Sequence, residues 1–400
     1  MSAEPKRIAV LGSSGSIGRS TLDVLRRWPQ RFRVQALAGC SSWQLLREQI
    51  LEFHPAAVAV ADVDAARMLR NSLDSSVRVE IVDGPSAART LMERDDIDLV
   101  VNGLVGSLGL VPTLVALERG CTVAIANKEP IVVAGELVME AARRGRGELL
   151  PLDSELSAIH QCLGGNTGRS VKRVILTASG GPFRSLHASE IASVTPEDAL
   201  KHPTWAMGPK ITVDSATLMN KGLEILETRW YFDLPYDRID VVVHPQSLVH
   251  SLVEFVDHSV MAQISEPDMR LPIQYALTYP ERLPGGVAAL DLVRAGTLTF
   301  EDPDPERFPC LRLAREAGRA AGMAPTVLNA ANEVAVEAFL RREIGFSQIP
   351  EIIEDCLSLD AGSHEPTLEN FEHADGFTRA QARRAVESRV GRTQTTGHAT

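Results

Sequence analysis

Short apolar runs recur along the first 130 residues of the chain, and segments with helical spacing separate them. The runs occupy residues 7–12, 32–38, 57–60, 77–82, 98–102 and 122–126, whereas residues 20–28 and 110–119 carry apolar side chains at helical intervals. Strands that alternate with helices predict an α/β domain, in which a doubly wound parallel sheet has helices on both faces.

The pattern changes after a further short apolar run at Leu149 and Leu150. Runs at residues 171–177, 240–244 and 251–255 predict a second sheet in an α+β domain, on which residues 259–264 can fold back as a hairpin. Part of this sheet is a candidate face for self-association. We divide the chain into domains at residues 1–150, 151–284 and 311–390, the last one helical, with a connecting segment at 285–310 and a disordered tail at 391–400.

Composition narrows the class of protein. The 400 residues are 44% hydrophobic and 23% charged, as in a soluble globular protein, and the net charge of −11 argues against nucleic acid as a partner. The five cysteines are far apart and form no C-x-x-C pair, which fits a reducing cytoplasm. The first apolar run is too short for a signal peptide, and no segment approaches the roughly 20 apolar residues of a membrane span. We expect a soluble cytoplasmic protein without a membrane partner.

A glycine-rich turn follows the first strand, as Gly12-Ser-Ser-Gly-Ser-Ile-Gly18. Glycines between a strand and a helix let the backbone approach a pyrophosphate, which the amides of the helix N-terminus can bind. This predicts a Rossmann-type dinucleotide site. The second strand ends without the Asp or Glu that binds the ribose of NAD, which favours NADP, although only the hydroxyls of Ser41 and Ser42 are available there to donate to a 2′-phosphate.

Two carboxylates stand at the end of the run at residues 149–150. Asp153 and Glu155 are two positions apart, so in an extended segment both would point to one side and call for a cation. Hard oxygen ligands favour Mg²⁺ or Mn²⁺ over zinc. The alternative is an acidic loop in which Asp153 or Ser154 caps a helix that starts near Leu156.

Other polar segments allow both a ligand and a structural interpretation. Lys128 closes a strand where ligands of such folds bind, but it can also be a surface cation. The turn at residues 178–182 suits a phosphate or is a plain strand turn. Residues 202–208, with Trp205 and Met207, suit a lid or a packed surface loop. Asn220, Lys221 and Glu224 share one face of a helix that we predict to begin at Asp214, where a Lys–Glu pair is ordinarily a solvated salt bridge.

Several of these segments stand together in the order found in one family. In this order the chain resembles the 1-deoxy-D-xylulose 5-phosphate reductoisomerase family over nearly its whole length. The segments are Gly12-Ser-Ser-Gly-Ser-Ile-Gly18, Ala126-Asn-Lys-Glu129, Leu150-Pro-Leu-Asp-Ser-Glu155, Ser179-Gly-Gly-Pro-Phe-Arg184, residues 210–224, His244-Pro-Gln-Ser-Leu-Val-His250 and Ser265-Glu-Pro-Asp-Met-Arg270.

The resemblance implies a homodimeric enzyme of isoprenoid-precursor synthesis that depends on NADPH and on Mg²⁺ or Mn²⁺. It would isomerise and reduce 1-deoxy-D-xylulose 5-phosphate to 2-C-methyl-D-erythritol 4-phosphate, with residues 1–150 binding NADP and residues 151–284 providing catalysis, metal binding and dimerisation. The implied metal ligands are Asp153, Glu155 and Glu224, which with Lys128 form the catalytic set. The implied substrate contacts are Lys128, Ser154, Glu155, Ser179, His202, Ser215, Asn220, Lys221 and Glu224. The implied cofactor contacts are Ser14, Gly15, Ser16, Ile17, Ser42, Asn127, Glu129 and Gly208.

The chain departs from the family pattern in three places, one of which is Pro130, where Ser is common. Leu156 replaces a usual His, and His160 stands where Phe is usual. Because the two are one helical turn apart, we hypothesise that His160 partly compensates; the alternative is that neither position matters. Ser41 replaces a basic residue after the second strand.

Two rival functions stay open at this point. One is an NAD(P)-dependent dehydrogenase of another small phosphorylated substrate. The other is a non-catalytic NADP-binding protein, against which Lys221 and the three carboxylates argue.

Overall fold

The computed structural model describes residues 4–165, 170–205, 207–359 and 365–396. Within it the chain forms two compact units that are discontinuous in sequence. The first consists of Met1–Pro130, Glu136–Ser157 and Asp268–Ala288, and the second of Ile131–Gly135, Ala158–Pro267 and Ala289–Thr400. The domain boundaries at residues 150, 284 and 310 stay predictions.

The strands form two sheets, one in each unit. The first has seven parallel strands in the order β4-β3-β2-β1-β5-β6-β7, and the second has four in the order β11-β10-β8-β9. The strands are β1 (Lys6–Leu11), β2 (Phe32–Gly39), β3 (Ala57–Val60), β4 (Glu80–Asp83), β5 (Leu99–Asn102), β6 (Thr122–Ile125), β7 (Leu149–Pro151), β8 (Val171–Ala178), β9 (Ile239–Val243), β10 (Val249–Phe255) and β11 (Val260–Ile264).

Helices connect and cover these strands. They are α1 (Ser16–Arg27), α2 (Trp43–Phe53), α3 (Val63–Ser72), α4 (Ala87–Met92), α5 (Leu110–Glu118), α6 (Glu129–Gly145), α7 (Ser154–Leu163), α8 (Ala188–Ile191), α9 (Pro196–Ala199), α10 (Pro209–Ala216), α11 (Met219–Phe232), α12 (Arg270–Thr278), α13 (Leu292–Ala295), α14 (Cys310–Ala320), α15 (Ala324–Leu340), α16 (Gln348–Leu357) and α17 (Leu368–Thr396). Gly106–Gly109 and Tyr236–Arg238 are 3-10 turns.

The first unit has the predicted doubly wound architecture. Its strands are nearly continuous apolar runs because helices cover both faces of the sheet, so that side chains of either orientation are buried. Ile8, Val10, Leu37, Val58 and Leu99 are fully buried and belong to one core cluster. The strand order reverses at β1, whose neighbours are β2 and β5, and the carboxyl ends of β1 and β5 therefore border the crevice where such folds bind ligands.

The second unit combines the predicted second sheet with the C-terminal helices. β8 is parallel to β9 and antiparallel to β10, and β10 and β11 form the predicted hairpin. Helices α14 to α17 confirm the helical pattern after residue 310, and α15 contains its clearest part. Buried side chains of α11, α14 and α15, such as Leu223, Ala314 and Leu328, share one core with the sheet.

Local boundaries differ from the predictions in four places. α1 begins at Ser16 instead of residue 20, β4 covers Glu80–Asp83 instead of 77–82, and α7 begins at Ser154 instead of near residue 156. A helix running on from Asp214 to Glu224 is wrong, because the chain breaks into α10 and α11 at Leu218. The buried Leu218 has φ 60°, a left-handed conformation that ends a helix and is unfavourable for a residue with a Cβ.

The C-terminal helix α17 continues into the segment that we expect to be disordered. It ends at Thr396, and residues 397–400 lie outside the described part, so the expectation of a disordered tail at 391–400 stays a prediction. Among the described residues, no helix has both the length and the hydropathy required to cross a bilayer.

Candidate active site

The glycine turn of the first unit has little room for side chains. Gly12 has φ 77°, and a Cβ there would lie 2.6 Å from the carbonyl oxygen of Gly103. A Cβ on Gly18 would overlap the backbone of Gly12 and Ser13. These glycines therefore let the turn pack against its neighbours, as the dinucleotide interpretation requires.

Around this turn, exposed and buried serines have different roles. Gly15 and Ser16 are exposed, Ser14 and Ile17 are half-buried, and α1 begins at Ser16 without a side-chain cap. The first amides of α1 are thus available to an anion. Ser13, in contrast, is fully buried, and its hydroxyl donates to Oε1 of Gln49 at 2.7 Å. The sequence analysis missed this pair, which ties the turn to α2.

The end of β2 leaves two hydroxyls in solvent. Ser41 and Ser42 are exposed, and Ser42 precedes α2 without making a side-chain cap bond. Both hydroxyls are accessible for a ligand, as predicted for a 2′-phosphate.

A buried asparagine organises the segment after β5. Asn102 donates to the Gly109 carbonyl at 2.9 Å and accepts a hydrogen bond from the Leu104 amide at 3.1 Å. Asn127, at the end of β6, donates to the Leu104 carbonyl. The predicted cofactor residue Asn127 thus also fixes a loop at the strand ends, whereas the sequence pattern marked Asn102 only as the end of a strand.

Lys128 is not a surface cation, because its side chain forms a buried ion pair with Asp153. Their side chains are 7% and 9% exposed. The ammonium binds Oδ2, while Oδ1 accepts a hydrogen bond from the Glu155 amide at 3.2 Å. Asp153 therefore caps α7, as the structural alternative proposed, and is at the same time part of a buried charge cluster. Glu155 lies in the first helical turn, not in an extended strand, and it accepts a hydrogen bond from the Ser154 hydroxyl.

In the second unit, three polar side chains meet at the turn after β8. His202 Nε2 lies 3.0 Å from the Ser179 hydroxyl and 3.1 Å from the Ser215 hydroxyl. Gly180 and Gly181 have φ of 82° and 67°. A Cβ on Gly181 would lie 2.8 Å from the Ser215 carbonyl oxygen, so glycine allows the turn to approach α10.

The protonation state of His202 follows from its hydrogen bonds. Its Nδ1 accepts from the amides of Thr204 at 3.1 Å and Trp205 at 2.9 Å. An atom that accepts two N–H groups carries no proton, so the proton of the ring is on Nε2 and points to the two serines. Burial lowers the pKa of His202 below its usual 6.5, which also favours the neutral ring.

The segment 202–208 begins at this same histidine. Trp205 is half-buried, and its ring lies edge-on to His250 with centroids 6.2 Å apart. Met207 is half-buried and Gly208 is exposed, directly before α10, while residue 206 lies outside the described residues.

The first turns of α11 carry the other predicted substrate and metal residues. Asn220 donates to Oε1 of Glu224 at 2.7 Å, and Lys221 pairs with Oε2. The side chains of Lys221 and Glu224 are 3% and 1% exposed, so the pair is not the solvated salt bridge of an ordinary helix surface.

Asp153, Glu155 and Glu224 form one acidic group. A carboxylate oxygen from each lies within 4.8 Å of those from the others, and Asp153 and Glu224 are buried. Oxygens at this separation can coordinate a single divalent ion, whose bonds to oxygen are about 2.0–2.6 Å long. A donor set made only of carboxylates fits Mg²⁺ or Mn²⁺ and does not resemble a zinc site.

Comparisons with known proteins agree with this chemistry. The family model described as 1-deoxy-D-xylulose 5-phosphate reductoisomerase matches residues 8–135, and two models of its C-terminal domains match residues 149–232 and 264–381. Reductoisomerases from Pelodictyon phaeoclathratiforme and Heliobacterium modesticaldum are 50% and 51% identical to the chain; they cover 95% and 96% of it, and the matches span 100% and 98% of their own lengths.

Solved structures of reductoisomerases have a fold similar to that of this chain. The reductoisomerase from Zymomonas mobilis in complex with NADPH has a TM-score of 0.90 and 40% identity, with 96% of this chain and 100% of that chain covered. A reductoisomerase in complex with NADPH, fosmidomycin and magnesium has the same TM-score and identity, with 96% and 98% covered. The chain belongs to the 1-deoxy-D-xylulose 5-phosphate reductoisomerase family.

Proposed function

We propose that Asp153, Glu155 and Glu224 hold the divalent ion with which this enzyme converts 1-deoxy-D-xylulose 5-phosphate to 2-C-methyl-D-erythritol 4-phosphate. As a member of its family, the chain is an NADPH- and metal-dependent oxidoreductase of the non-mevalonate isoprenoid pathway. The observation that carries the assignment of residues is the approach of the three carboxylates to within 4.8 Å. When bound, a divalent ion polarises a carbonyl and stabilises negative charge on oxygen.

Lys128 orients the acidic group and faces the reacting end of the substrate in this proposal. Its ammonium lies against Asp153 and neutralises part of the charge that three neighbouring carboxylates accumulate. An ammonium has three N–H groups, so Lys128 can donate to a substrate oxygen while it keeps the Asp153 contact. Ser154 and Glu155 complete this end of the substrate site.

The phosphate of the substrate binds to Ser179, His202, Ser215, Asn220 and Lys221. The support is a neutral His202 whose Nε2–H points between two hydroxyls, together with the buried ammonium of Lys221. Neutral donors and one cation hold a phosphate dianion by charge-assisted hydrogen bonds. Binding energy gained at the phosphate can then be used to align the reacting carbons.

NADPH occupies the crevice at the carboxyl ends of β1 and β5. The amides of Ser16 and Ile17 in the first turn of α1 suit its pyrophosphate, and the exposed Ser42 suits the 2′-phosphate. Gly15 precedes them, and its own amide donates to the Gly12 carbonyl at 3.0 Å. We assign Ser14, Asn127, Glu129 and Gly208 to further cofactor contacts by their positions in the family motifs. The segment that carries Trp205 excludes water during hydride transfer.

The test mixes the purified protein with NADPH, 1-deoxy-D-xylulose 5-phosphate and Mg²⁺. Oxidation of NADPH is followed by the loss of its absorbance. We expect turnover that EDTA abolishes and that added Mg²⁺ or Mn²⁺ restores. A dehydrogenase of another phosphorylated substrate would not oxidise NADPH in this mixture. A non-catalytic protein would bind NADPH without turnover, so either outcome would contradict the proposal.

We propose further that the enzyme is a homodimer that associates through the sheet of the second unit. β11 is an edge strand, and its Val260 and Met261 are 51% and 56% exposed. Natural proteins rarely leave an apolar edge strand in solvent, because it pairs with other chains. Light scattering should give the mass of two chains, and Met261→Lys should weaken the dimer. Met68→Lys, at a 45% exposed position of α3, is the matched control and should leave the dimer intact.

The compartment that we propose is the cytoplasm. The five cysteines form no disulfide, and Cys40 is exposed whereas the other four are buried. Cysteines that stay reduced are typical of a reducing compartment. Alkylation of freshly denatured protein should therefore label every cysteine, and a protein with blocked cysteines would contradict this location.

A further inference from the structure

Asp214 is a buried carboxylate in the second unit that the proposed reaction does not use. It is 1% exposed, and its neighbours Val213 and Ala216 belong to the apolar core. A buried charge is unfavourable unless hydrogen bonds or an opposite charge compensate for it. Both oxygens of Asp214 meet this condition, because Oδ2 pairs with the Lys210 ammonium at 2.8 Å and Oδ1 accepts a hydrogen bond from Asn332 at 2.8 Å.

Asn332 provides this second bond from a distant part of the chain. It lies on α15, is fully buried, and is 118 residues from Asp214 in sequence. Since a carboxylate only accepts hydrogen bonds, the amide nitrogen of Asn332 must face it. An asparagine is therefore specifically suited to the position, whereas an aspartate would bring two carboxylates together and a leucine would leave Oδ1 of Asp214 without this donor.

The residue that follows Asp214 is Ser215, part of the proposed phosphate site. Its hydroxyl lies 3.1 Å from His202 Nε2 and 3.5 Å from the Ser179 hydroxyl. α10 has only eight residues, so a displacement of Asp214 moves Ser215 with it. The turn at Gly181 packs closely on the Ser215 backbone, which extends the effect of such a displacement to Ser179.

We propose that Asn332 is a positioning residue for the substrate phosphate. Through Asp214 it fixes α10 and thereby the distance of Ser215 from His202 and Ser179. This role rests on the phosphate site proposed above and assigns a function to a residue of α15, a helix that contributes none of the proposed substrate or cofactor contacts. Its effect is on the affinity for the phosphorylated substrate and not on the hydride-transfer step.

The same helix provides a matched control. Asn329 is also fully buried and lies one turn before Asn332. Its amide donates to Oε1 of Glu333 at 3.1 Å, and Glu333 pairs with Arg379 of α17 at 2.6 Å. Loss of the Asn329 bond therefore affects α15 and α17 without removing a bond to α10.

The experiment compares Asn332→Leu with Asn329→Leu in the full-length enzyme. Because Asn332→Leu removes a hydrogen bond to a charged group, KM for 1-deoxy-D-xylulose 5-phosphate should rise roughly 10-fold in this variant. The turnover number and the Kd for NADPH should stay close to the wild-type values. Asn329→Leu should lower the melting temperature but leave KM unchanged. Equal KM changes in both variants, or an unchanged KM in Asn332→Leu, would overturn the proposal.

An exchange of the side chains of Asp214 and Asn332 tests the hydrogen bond between them. This experiment also takes the place of Asn332→Leu if that variant does not fold. Asn332→Asp alone should raise KM by placing two carboxylates together. The double variant Asp214→Asn/Asn332→Asp restores a donor and an acceptor, so its KM should return toward the wild-type value. A KM that the exchange does not recover would contradict the positioning role.

A binding measurement, which needs no turnover, distinguishes failure of the positioning role from failure of the proposed function. Binding of inorganic phosphate is measured by calorimetry for the wild-type protein and for both leucine variants. Weaker phosphate binding by Asn332→Leu alone supports the role even if the enzyme assay gives no turnover. Equal phosphate binding by all three proteins, or none by the wild type, contradicts it.

Discussion

Lys221 and Glu224 form a buried ion pair one turn apart on α11. The pair connects two proposed sites, because Lys221 belongs to the proposed phosphate site and Glu224 to the acidic group. Burial of both charges makes each of them dependent on its partner, since removal of one leaves the other uncompensated. Substitutions at these positions should therefore have large effects.

Glu224→Gln should remove nearly all turnover while NADPH binding survives. The amide removes one negative ligand, and metal stabilisation of a developing charge is worth several kcal/mol, so turnover should fall by about 100-fold or more. The assay is NADPH oxidation over a range of Mg²⁺ concentrations, with the Kd for NADPH measured by fluorescence. Asp233→Asn, at the exposed end of the same helix, should leave both unchanged. Normal turnover in Glu224→Gln would remove Glu224 from the metal site.

His202 should make the stability of the enzyme depend on pH below 6.5. Burial lowers the pKa of His202 in the folded state below the 6.5 of an exposed imidazole. Between these two values the unfolded state binds more protons, so the free energy of unfolding rises with pH across this window and falls as pH drops. The free energy of unfolding, measured with denaturant at a series of pH values, should change less steeply with pH in His202→Gln than in the wild type. Identical slopes would show that His202 does not contribute.

Protonation of His202 in the same pH range should also weaken substrate binding. A proton on Nδ1 would face the amides of Thr204 and Trp205, which donate to that atom in the folded protein. KM for the phosphorylated substrate should therefore increase as pH falls below 6.5, in parallel with the loss of stability.

Leu156 and His160 test the compensation hypothesis for α7. Leu156 is fully buried, whereas His160 is half-buried and burial lowers its pKa, so that it acts as a neutral imidazole near neutral pH. We expect His160→Phe to reduce kcat/KM a few-fold, the size of one modest hydrogen bond of about 1 kcal/mol, and Leu156→His in that background to recover part of it. Unchanged steady-state kinetics in both variants would show that neither position matters.

Ser41→Arg should increase the preference for NADPH over NADH. Ser41 is exposed at the end of β2, where a guanidinium can pair with the 2′-phosphate. The ratio of kcat/KM values for the two cofactors should rise roughly tenfold, as expected for one charge-assisted bond. The control is Gln44→Arg, which adds the same charge at an exposed position of α2. An equal change in the control would assign the effect to net charge.

The features that the sequence predicted are those that depend on neighbouring residues. The buried strands and the turn at Gly12 follow from local apolar runs and from the steric freedom of glycine, and the hairpin of β10 and β11 follows from two adjacent runs. The order of the family motifs predicted the enzyme, because members of one family carry their motifs in the same order along the chain.

Contacts between distant residues could not be predicted in this way. The bond from Asn332 to Asp214 joins residues 118 positions apart, and the pair of Lys128 and Asp153 joins residues 25 positions apart. Their formation depends on packing. A signal for Asn332 was present, since an asparagine among the many apolar residues of α15 calls for a buried partner, but the sequence of the helix does not show where that partner lies. The break at Leu218 was not predictable, because no Gly or Asn marks a left-handed residue there.

The rigid imidazole ring of His202 connects the two serine hydroxyls to the backbone of the residues that follow it. One nitrogen faces the hydroxyls of Ser179 and Ser215, and the other accepts hydrogen bonds from the amides of Thr204 and Trp205. A phosphate bound at the proposed site and the amides of Thr204 and Trp205 would therefore act on the same ring, and by thermodynamic linkage any effect of phosphate on these two hydrogen bonds equals the effect of the bonds on the affinity for phosphate. The affinity of the proposed site would thus include the free energy of holding Thr204 and Trp205 against the ring.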